Sequence, residues 1–406
     1  MSFVSEFDQL DLTGLTYFAE NATGAAVEAA LARSAAEVRR TSRMLLADFA
    51  ALVSPKAAEP QYLEQMAQSS HRLSVKHFGR VIRLFAPIYL SNECINVCKY
   101  CGFSRDNPIL RVTLTLKQVK AEAEFLREQG FRHILLVAGE HPYFVSVKHL
   151  CQYVTMLHKD WPSICLEVGP MEAGEYQACV QAGAEGLTIY QETYNRAVYD
   201  EMHVSGPKKD FNWRLDTPER AAAAGFKQVG IGALLGLAPW RSDVIALMAH
   251  ASYMLRNCWR SRLTISIPRI RPAAGEFQPL VHIGDRELVQ LVCAMRLVLP
   301  EVGIVLSTRE SPKLRDGLIP LGVTMISAGS HTEPGGYTGQ GKEMLHLTKG
   351  GRAIKRAIPL IESEGEQATA QFEVADNRTP AEVATCLQSI GYEPVWKDWE
   401  AVLSES

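Results

Sequence analysis

This 406-residue chain first of all lacks long apolar runs: none reaches the roughly eighteen residues that a bilayer span requires. Its opening, MSFVSEFDQLDL, has neither a basic n-region nor an apolar h-region, so neither a membrane span nor a secretion signal is expected and the chain reads as cytoplasmic. Charge of one sign is also lacking. The 42 basic and 45 acidic residues leave a net −3, without the basic field that nucleic acid demands. No glycine-rich dinucleotide fingerprint opens a helix: GIGALLG, Gly230 to Gly236, lies within and just after a strand-like run and reads as close-packing positions. Paired cysteines are missing from most of the chain. Cys151, Cys165, Cys179, Cys258, Cys293 and Cys386 are scattered without CxxC spacing and read as reduced, small hydrophobes.

The other three cysteines are concentrated. The stretch Asn92 to Phe103, NECINVCKYCGF, sets Cys94, Cys98 and Cys101 in the spacing CxxxCxxC directly after an apolar run. Three thiolates on one short loop can hold a metal or an iron–sulfur cluster, whereas a structural site wants four protein ligands. No fourth ligand is near in sequence: the closest histidines outside the loop are His77 and His133, and the next cysteine is Cys151. An open metal position suggests chemistry rather than scaffolding. A zinc site completed by a remote ligand is the alternative, although zinc favours evenly matched ligand pairs. Three unrelated buried thiols would not be expected to share one polar loop.

Residues 1–78 read as an all-helical extension, with Thr23 capping a helix from Gly24, an apolar helix over Met44 to Val53, and Pro60 opening Gln61 to Phe78. From Val81 short runs rich in Val, Ile and Leu alternate with amphipathic segments. Eight strands are expected: Val81 to Leu90, His133 to Ala138, Ile164 to Val168, Gly186 to Tyr190, Gln228 to Leu235, Leu263 to Ile267, Gly303 to Ser307 and Val323 to Ser327. Each but the last is followed by a helix-like segment. This alternation predicts a TIM-type (β/α)8 barrel over 79–330, with an open doubly wound sheet as the runner-up. Residues 331–406 read as a glycine-rich loop and a tail packed on the barrel, with a helix over Pro380 to Ser389 and Trp396 and Trp399 as a docked clasp.

In a parallel barrel, chemistry sits at the C-terminal ends of the strands. That rule selects Tyr89, Glu140, Glu167, the run Tyr190 to Tyr194 with Glu192, the pair Arg269 and Arg271, Arg309, and Ser327. Glutamates and arginines around a metal loop suit a small zwitterionic ligand. Each has a plainer reading as well: Glu140 as an acid at a helix N-terminus, Arg309 as the partner of Glu310, Arg269 and Arg271 as rim structure, and Tyr89 and Ser327 as ordinary hydrogen-bonding groups.

With an aromatic residue before its third cysteine, the loop resembles the signature of the radical S-adenosylmethionine enzymes. YLSNECINVCKYCGFS, LLVAGEH, IYQETY, FNWRLDTPER, VGIGALLGLAPWR, SIPRIRP, LSTRESP and EPVWKDW together resemble one branch, the tyrosine lyases of thiamine thiazole biosynthesis, or 2-iminoacetate synthases, from about Leu63 to Trp399. The resemblance implies a [4Fe–4S] cluster on Cys94, Cys98 and Cys101 whose fourth iron chelates S-adenosylmethionine. Tyr100 would lie near the adenine, Glu140 would meet the cofactor's amino group, and Glu192 and Arg269 would be further cofactor contacts; Tyr89, Arg309 and Ser327 would hold the substrate. It implies cleavage of the Cα–Cβ bond of L-tyrosine to p-cresol and dehydroglycine, with S-adenosylmethionine consumed to 5′-deoxyadenosine and methionine. A flavodoxin or ferredoxin would be the reductant, and the thiazole synthase ThiG would take up the dehydroglycine. The iron-only hydrogenase maturase HydG is a near relative, but it carries further C-terminal cysteines, whereas only Cys386 lies beyond residue 300 here. The tryptophan lyases share the Arg309-type clamp. A non-catalytic iron–sulfur electron carrier would need neither the glutamate after the second strand nor the arginine rim.

Overall fold

Aliphatic and β-branched runs form eight parallel strands: β1 (Val81–Ser91), β2 (His133–Ala138), β3 (Ser163–Glu167), β4 (Gly186–Glu192), β5 (Gln228–Ala233), β6 (Arg262–Ser266), β7 (Gly303–Leu306) and β8 (Met325–Ser327). The computed structural model describes residues 2–354 and 367–396. Each strand pairs with its sequence neighbour, and β8 returns to β1 with Arg83 opposite Met325. The sheet is closed, as the alternation predicts, and the open-sheet alternative falls.

Alternate side chains enter the barrel. Phe85, Tyr89, Leu135, Val137, Cys165 and Met325 form an interior cluster, while Ile82, Leu84, Ile134, Leu136, Ile164 and Leu166 face the helices in the main core. The helices start where caps allow. Thr115 forms a capping box with Gln118 ahead of Leu116–Glu128, and Ser146 and Ser311 cap Val147–Leu157 and Pro312–Leu318.

The N-terminal extension is helical throughout its main segments: Gly24–Ala35, Ser42–Leu52 and Pro60–Phe78 are joined by Phe3–Phe7 and Leu12–Glu20, which sequence reading did not single out. These helices pack on Trp240–Asn257 and Asp285–Val298. Phe3 stacks on His250 with ring centroids 4.0 Å apart. Asp48, buried, takes both Arg33 and Arg40. The extension thus lies mainly against the outer helices, touching the segment just after β4 where Phe7 packs on Tyr194 and Asp8 pairs with Arg196.

No helix directly follows β8. The chain instead crosses the barrel mouth, where His346–Lys349 pairs antiparallel with both Ile109–Arg111 and Arg352–Ile354. It then reaches the helix Pro380–Ser389, and Glu393–Val395 runs parallel beside the start of β1. Trp396 sits edge-on to Phe131 at 5.2 Å, and its carbonyl accepts from Arg132 N at 3.0 Å. The expected clasp therefore closes on the N-terminal end of the barrel, opposite the cysteine loop; Trp399 lies outside the described residues. No helix among the described residues is long and apolar enough to cross a membrane.

Candidate active site

β1 overshoots its neighbours and carries a register shift between Tyr89 and Ser91 against β2, a rim irregularity that re-aims the chain into the cysteine loop. The loop is then tied down on three sides. Val97–Cys98 pairs antiparallel with His203–Ser205, and Lys99 N donates to Met202 O at 3.0 Å. The guanidinium of Arg111, 1% exposed, donates to the carbonyls of Asn92, Phe103 (3.1 Å) and Ser104 (2.7 Å), stapling the two ends of the loop together. Over the top, the tail approaches so closely that a Cβ on Gly102 would lie 2.4 Å from the carbonyl oxygen of Gln371. Only glycine fits there.

The thiols of Cys94, Cys98 and Cys101 share a cavity of about 640 Å³ at the strand ends, part of it open to solvent. Asn96, Gly139, Glu140, Gly169, Glu192, Lys208 and Arg214 also line it. A second chamber of about 520 Å³ continues from it, sharing Cys101, Glu167, Tyr190, Glu192, Lys208 and Gln371 and adding Tyr100, Arg271, Arg309 and Phe372. All three thiols border the first chamber, Arg271 and Arg309 border the second, and Glu167, Glu192 and Lys208 form a common wall between them.

The polar groups are arranged in detail. Glu140 Oε2 accepts from Asn96 Nδ2 at 2.7 Å, and its side chain occupies the space a Cβ on Gly169 would take, 2.7 Å from its Cδ. Glu192 accepts from Lys208 Nζ at 2.7 Å and from Arg214 at 3.3 Å. Its backbone has φ 72°, a left-handed conformation that costs a non-glycine residue about 1–3 kcal/mol and tends to occur at functional sites. Burial pushes the Glu192 carboxyl up, yet Lys208 and Arg214 overcome this and hold it below its ordinary value. Tyr100 donates its hydroxyl to His203 Nε2 at 2.8 Å, because Nδ1 of that ring donates to Tyr199 O at 2.7 Å. Burial, then the neighbouring Lys208, lowers His203 to about 3 and keeps it neutral, so it can accept. Burial likewise raises the Cys94 and Cys98 thiols, so iron binding there displaces protons. Among the described residues no three or more His, Cys, Asp and Glu side chains close on a single metal ion. A cluster makes a different demand, with thiolates distributed over its irons, and three thiols around one roomy cavity fit that demand.

Of the expected site residues, Cys94, Cys98, Cys101, Tyr100, Glu140, Glu192 and Arg309 meet in these chambers. Tyr89 stands beside them, with its hydroxyl donating to Gln371 Oε1 at 2.8 Å. Two do not join them. Arg269, expected at the cofactor, instead grips Glu310 through Nε at 3.0 and 3.1 Å, and also reaches Asp285 and the Ile283 carbonyl. Ser327, expected at the substrate, accepts from Thr308 N at 3.1 Å and lines neither chamber. The first result decides the second arginine as well. Glu310 is spent on Arg269, so Arg309 pairs with no carboxylate among the described residues; its guanidinium lies 3.4 Å from the Phe372 ring centroid. Sequence reasoning passed over Asn96, Lys208, Arg214, Gln371 and Phe372. They come from the loop itself, from the connection after β4 and from the tail, rather than from strand ends. The available signals were the cysteine-loop motif itself, which carries Asn96, and FNWRLDTPER, which carries Arg214.

A family model described as the Radical SAM superfamily matches residues 88–247, and a Biotin and Thiamin Synthesis associated domain matches residues 266–393. The 2-iminoacetate synthase of Escherichia coli (strain K12) is 38% identical over 406 residues, covering 100% of this chain and 98% of the relative. Among solved structures, HydG, a maturase of the [FeFe]-hydrogenase, superposes with a TM-score of 0.84 at 28% identity, covering 97% of this chain and 81% of its own. HydG from Carboxydothermus hydrogenoformans gives 0.81 at 29% identity, covering 97% of this chain and 84% of its own. The cofactors of this superfamily are a [4Fe–4S] cluster and S-adenosylmethionine. Closed barrel, cysteine loop and full-length identity agree: this chain belongs to the 2-iminoacetate synthase family of the radical S-adenosylmethionine superfamily.

Proposed function

We propose that this protein is a radical S-adenosylmethionine lyase that cleaves the Cα–Cβ bond of L-tyrosine to p-cresol and 2-iminoacetate (dehydroglycine) for thiamine thiazole synthesis. The observation that carries the reading is one cavity bordered by three loop thiols at one end and, at the other, an arginine unpaired among the described residues. Cys94, Cys98 and Cys101 hold the cluster. When bound, cluster and S-adenosylmethionine supply a carbon-centred radical able to take hydrogen from the substrate's amino group. The chain's own residues bind, orient and seal. Glu140, fixed by Asn96, receives the cofactor's ammonium, and Glu192 with Lys208 and Arg214 presents a hydrogen-bonded wall of net positive charge to its remaining groups. Tyr100, locked by His203, backs the adenine.

Arg309 receives the tyrosine carboxylate, with Phe372 behind its guanidinium leaving the N–H edge free. Gln371 and Phe372 cross the mouth and exclude water, so that the amine is held at the radical carbon rather than in solvent. We divide the chain into a helical extension (1–78), the barrel (79–330) and a tail closing over it (331–406), a division supported by the onset of strand–helix alternation at β1. A flavodoxin or ferredoxin as reductant, the thiazole synthase as acceptor of dehydroglycine and a cytoplasmic location follow from the family reading. The test is anaerobic reconstitution with iron and sulfide, then incubation with S-adenosylmethionine, a reductant and either tyrosine or tryptophan. p-Cresol with 5′-deoxyadenosine from tyrosine is the expected result; an indole-derived product instead, or deoxyadenosine with neither, would overturn the assignment.

A further inference from the structure

An α-amino acid carries its ammonium and carboxylate on one carbon, so a chamber that receives the carboxylate at Arg309 needs a second group for the nitrogen close by. The structure places one such group. Glu167 ends β3, opposite Val137 of β2, and the strand alternation that turns Cys165 into the barrel turns Glu167 into the mouth directly above it. It lines both the thiol chamber and the arginine chamber. The other acids facing these chambers are committed, Glu140 to Asn96 and Glu192 to Lys208 and Arg214. Among the described residues the Glu167 carboxyl makes neither a hydrogen bond nor an ion pair, so its oxygens remain available to a ligand. It and Arg309 nonetheless sense each other's charge.

We infer that Glu167 receives the substrate's α-amino group and takes its proton, leaving the neutral amine whose N–H faces the radical carbon. This rests on the lyase reading and adds a residue to it. The step balances: one ammonium N–H bond breaks, one carboxyl O–H bond forms, and no electron is transferred. Burial raises the carboxyl to about 7, with Arg309, Arg214 and Lys208 opposing and Glu192 assisting, so it is a far better proton acceptor than a solvated glutamate. Arg309, beside the same nitrogen, disfavours the ammonium and eases its deprotonation.

The isosteric variant Glu167→Gln tests the assignment with two ligands, L-tyrosine and its desamino analogue 3-(4-hydroxyphenyl)propanoate, titrated anaerobically into cluster-loaded protein with S-adenosylmethionine present and reductant absent. The expected result is tyrosine affinity reduced at least ~10-fold with analogue affinity within about twofold of the unmodified protein. On adding reductant, the ratio of p-cresol to deoxyadenosine should fall, and Glu167→Asp should restore part of it. Equal loss for both ligands would mark a merely structural role, and unchanged tyrosine affinity would remove the amine contact; either overturns the inference while leaving tyrosine cleavage by the unmodified protein intact. Failure of the unmodified protein to bind tyrosine would instead overturn the lyase reading and this inference together.

Discussion

Replacing Arg309 by lysine keeps a positive charge in the chamber and removes the planar fork. The guanidinium is stacked on Phe372 at 3.4 Å, so its edge points where a carboxylate can take two parallel N–H bonds. Lysine offers a point charge instead. It forfeits one charge-assisted hydrogen bond, about 1.5–3 kcal/mol, and the ring contact that aims the group, about 0.5–2 kcal/mol. Because the shorter ammonium recovers part of this by moving, a net loss of about 2–3 kcal/mol is expected, or ~30- to 200-fold in tyrosine affinity. Anaerobic calorimetry with S-adenosylmethionine present and reductant absent reads this directly. S-adenosylmethionine, held at the other end of the cavity, should bind within about twofold of normal. Arg271 supplies the control, because it lines the same chamber and its Nε is buried without a partner among the described residues. Unchanged tyrosine binding in Arg309→Lys, or the full loss in Arg271→Lys alone, would refute the clamp.

Three further outcomes follow from other parts of the site. Cys98→Ala should leave the anaerobically reconstituted protein without the 4Fe–4S absorption envelope and without deoxyadenosine formation; ordinary turnover in that variant would remove the cluster assignment. Gly169→Ala places a Cβ 2.7 Å from the Glu140 side chain, so Glu140 must leave Asn96; S-adenosylmethionine affinity should fall by ~10-fold or more with the melting temperature nearly unchanged, as an equilibrium titration and a thermal scan would read. Asp376→Ala leaves the buried guanidinium of Arg315 without a carboxylate, while Arg378 keeps Asp316; this should cost about 3–5 kcal/mol in a denaturant titration and expose the tail to limited proteolysis. A tail as protease-resistant as in the unmodified protein would show that this pair does not hold it.

The barrel was legible because its information is local and repeated. Each strand is a short apolar run that must be buried on both faces, each helix shows its own stripe and cap, and eight repeats of that unit close most naturally on themselves. The cysteine loop was legible for a related reason: its three ligands lie within eight residues of one another. The roles of the arginines were not. Arg269, Arg271 and Arg309 all follow strands, and nothing in their neighbours says which carboxylate each will meet. Glu310 adjoins Arg309 in the chain but, in the turn after β7, pairs with Arg269. Ser327 likewise sits at a strand end, yet its hydroxyl accepts from Thr308 N in the turn after the preceding strand, β7.

What the amino-acid order settled alone was the fold class, the metal-binding character of one loop and, through motifs spread along the whole chain, the family. Which acid is free, which arginine is unpaired and which tail residues roof the cavity were decided only when distant segments met. Gln371 and Phe372 come to lie over a loop some 270 residues earlier because the tail must cross the mouth to reach the far end of β1. Among the described residues Glu167 stands unpartnered because its neighbours' charges are satisfied elsewhere. Pairing of buried charges depends on distances of a few ångströms between groups far apart in sequence, and no local pattern encodes those distances.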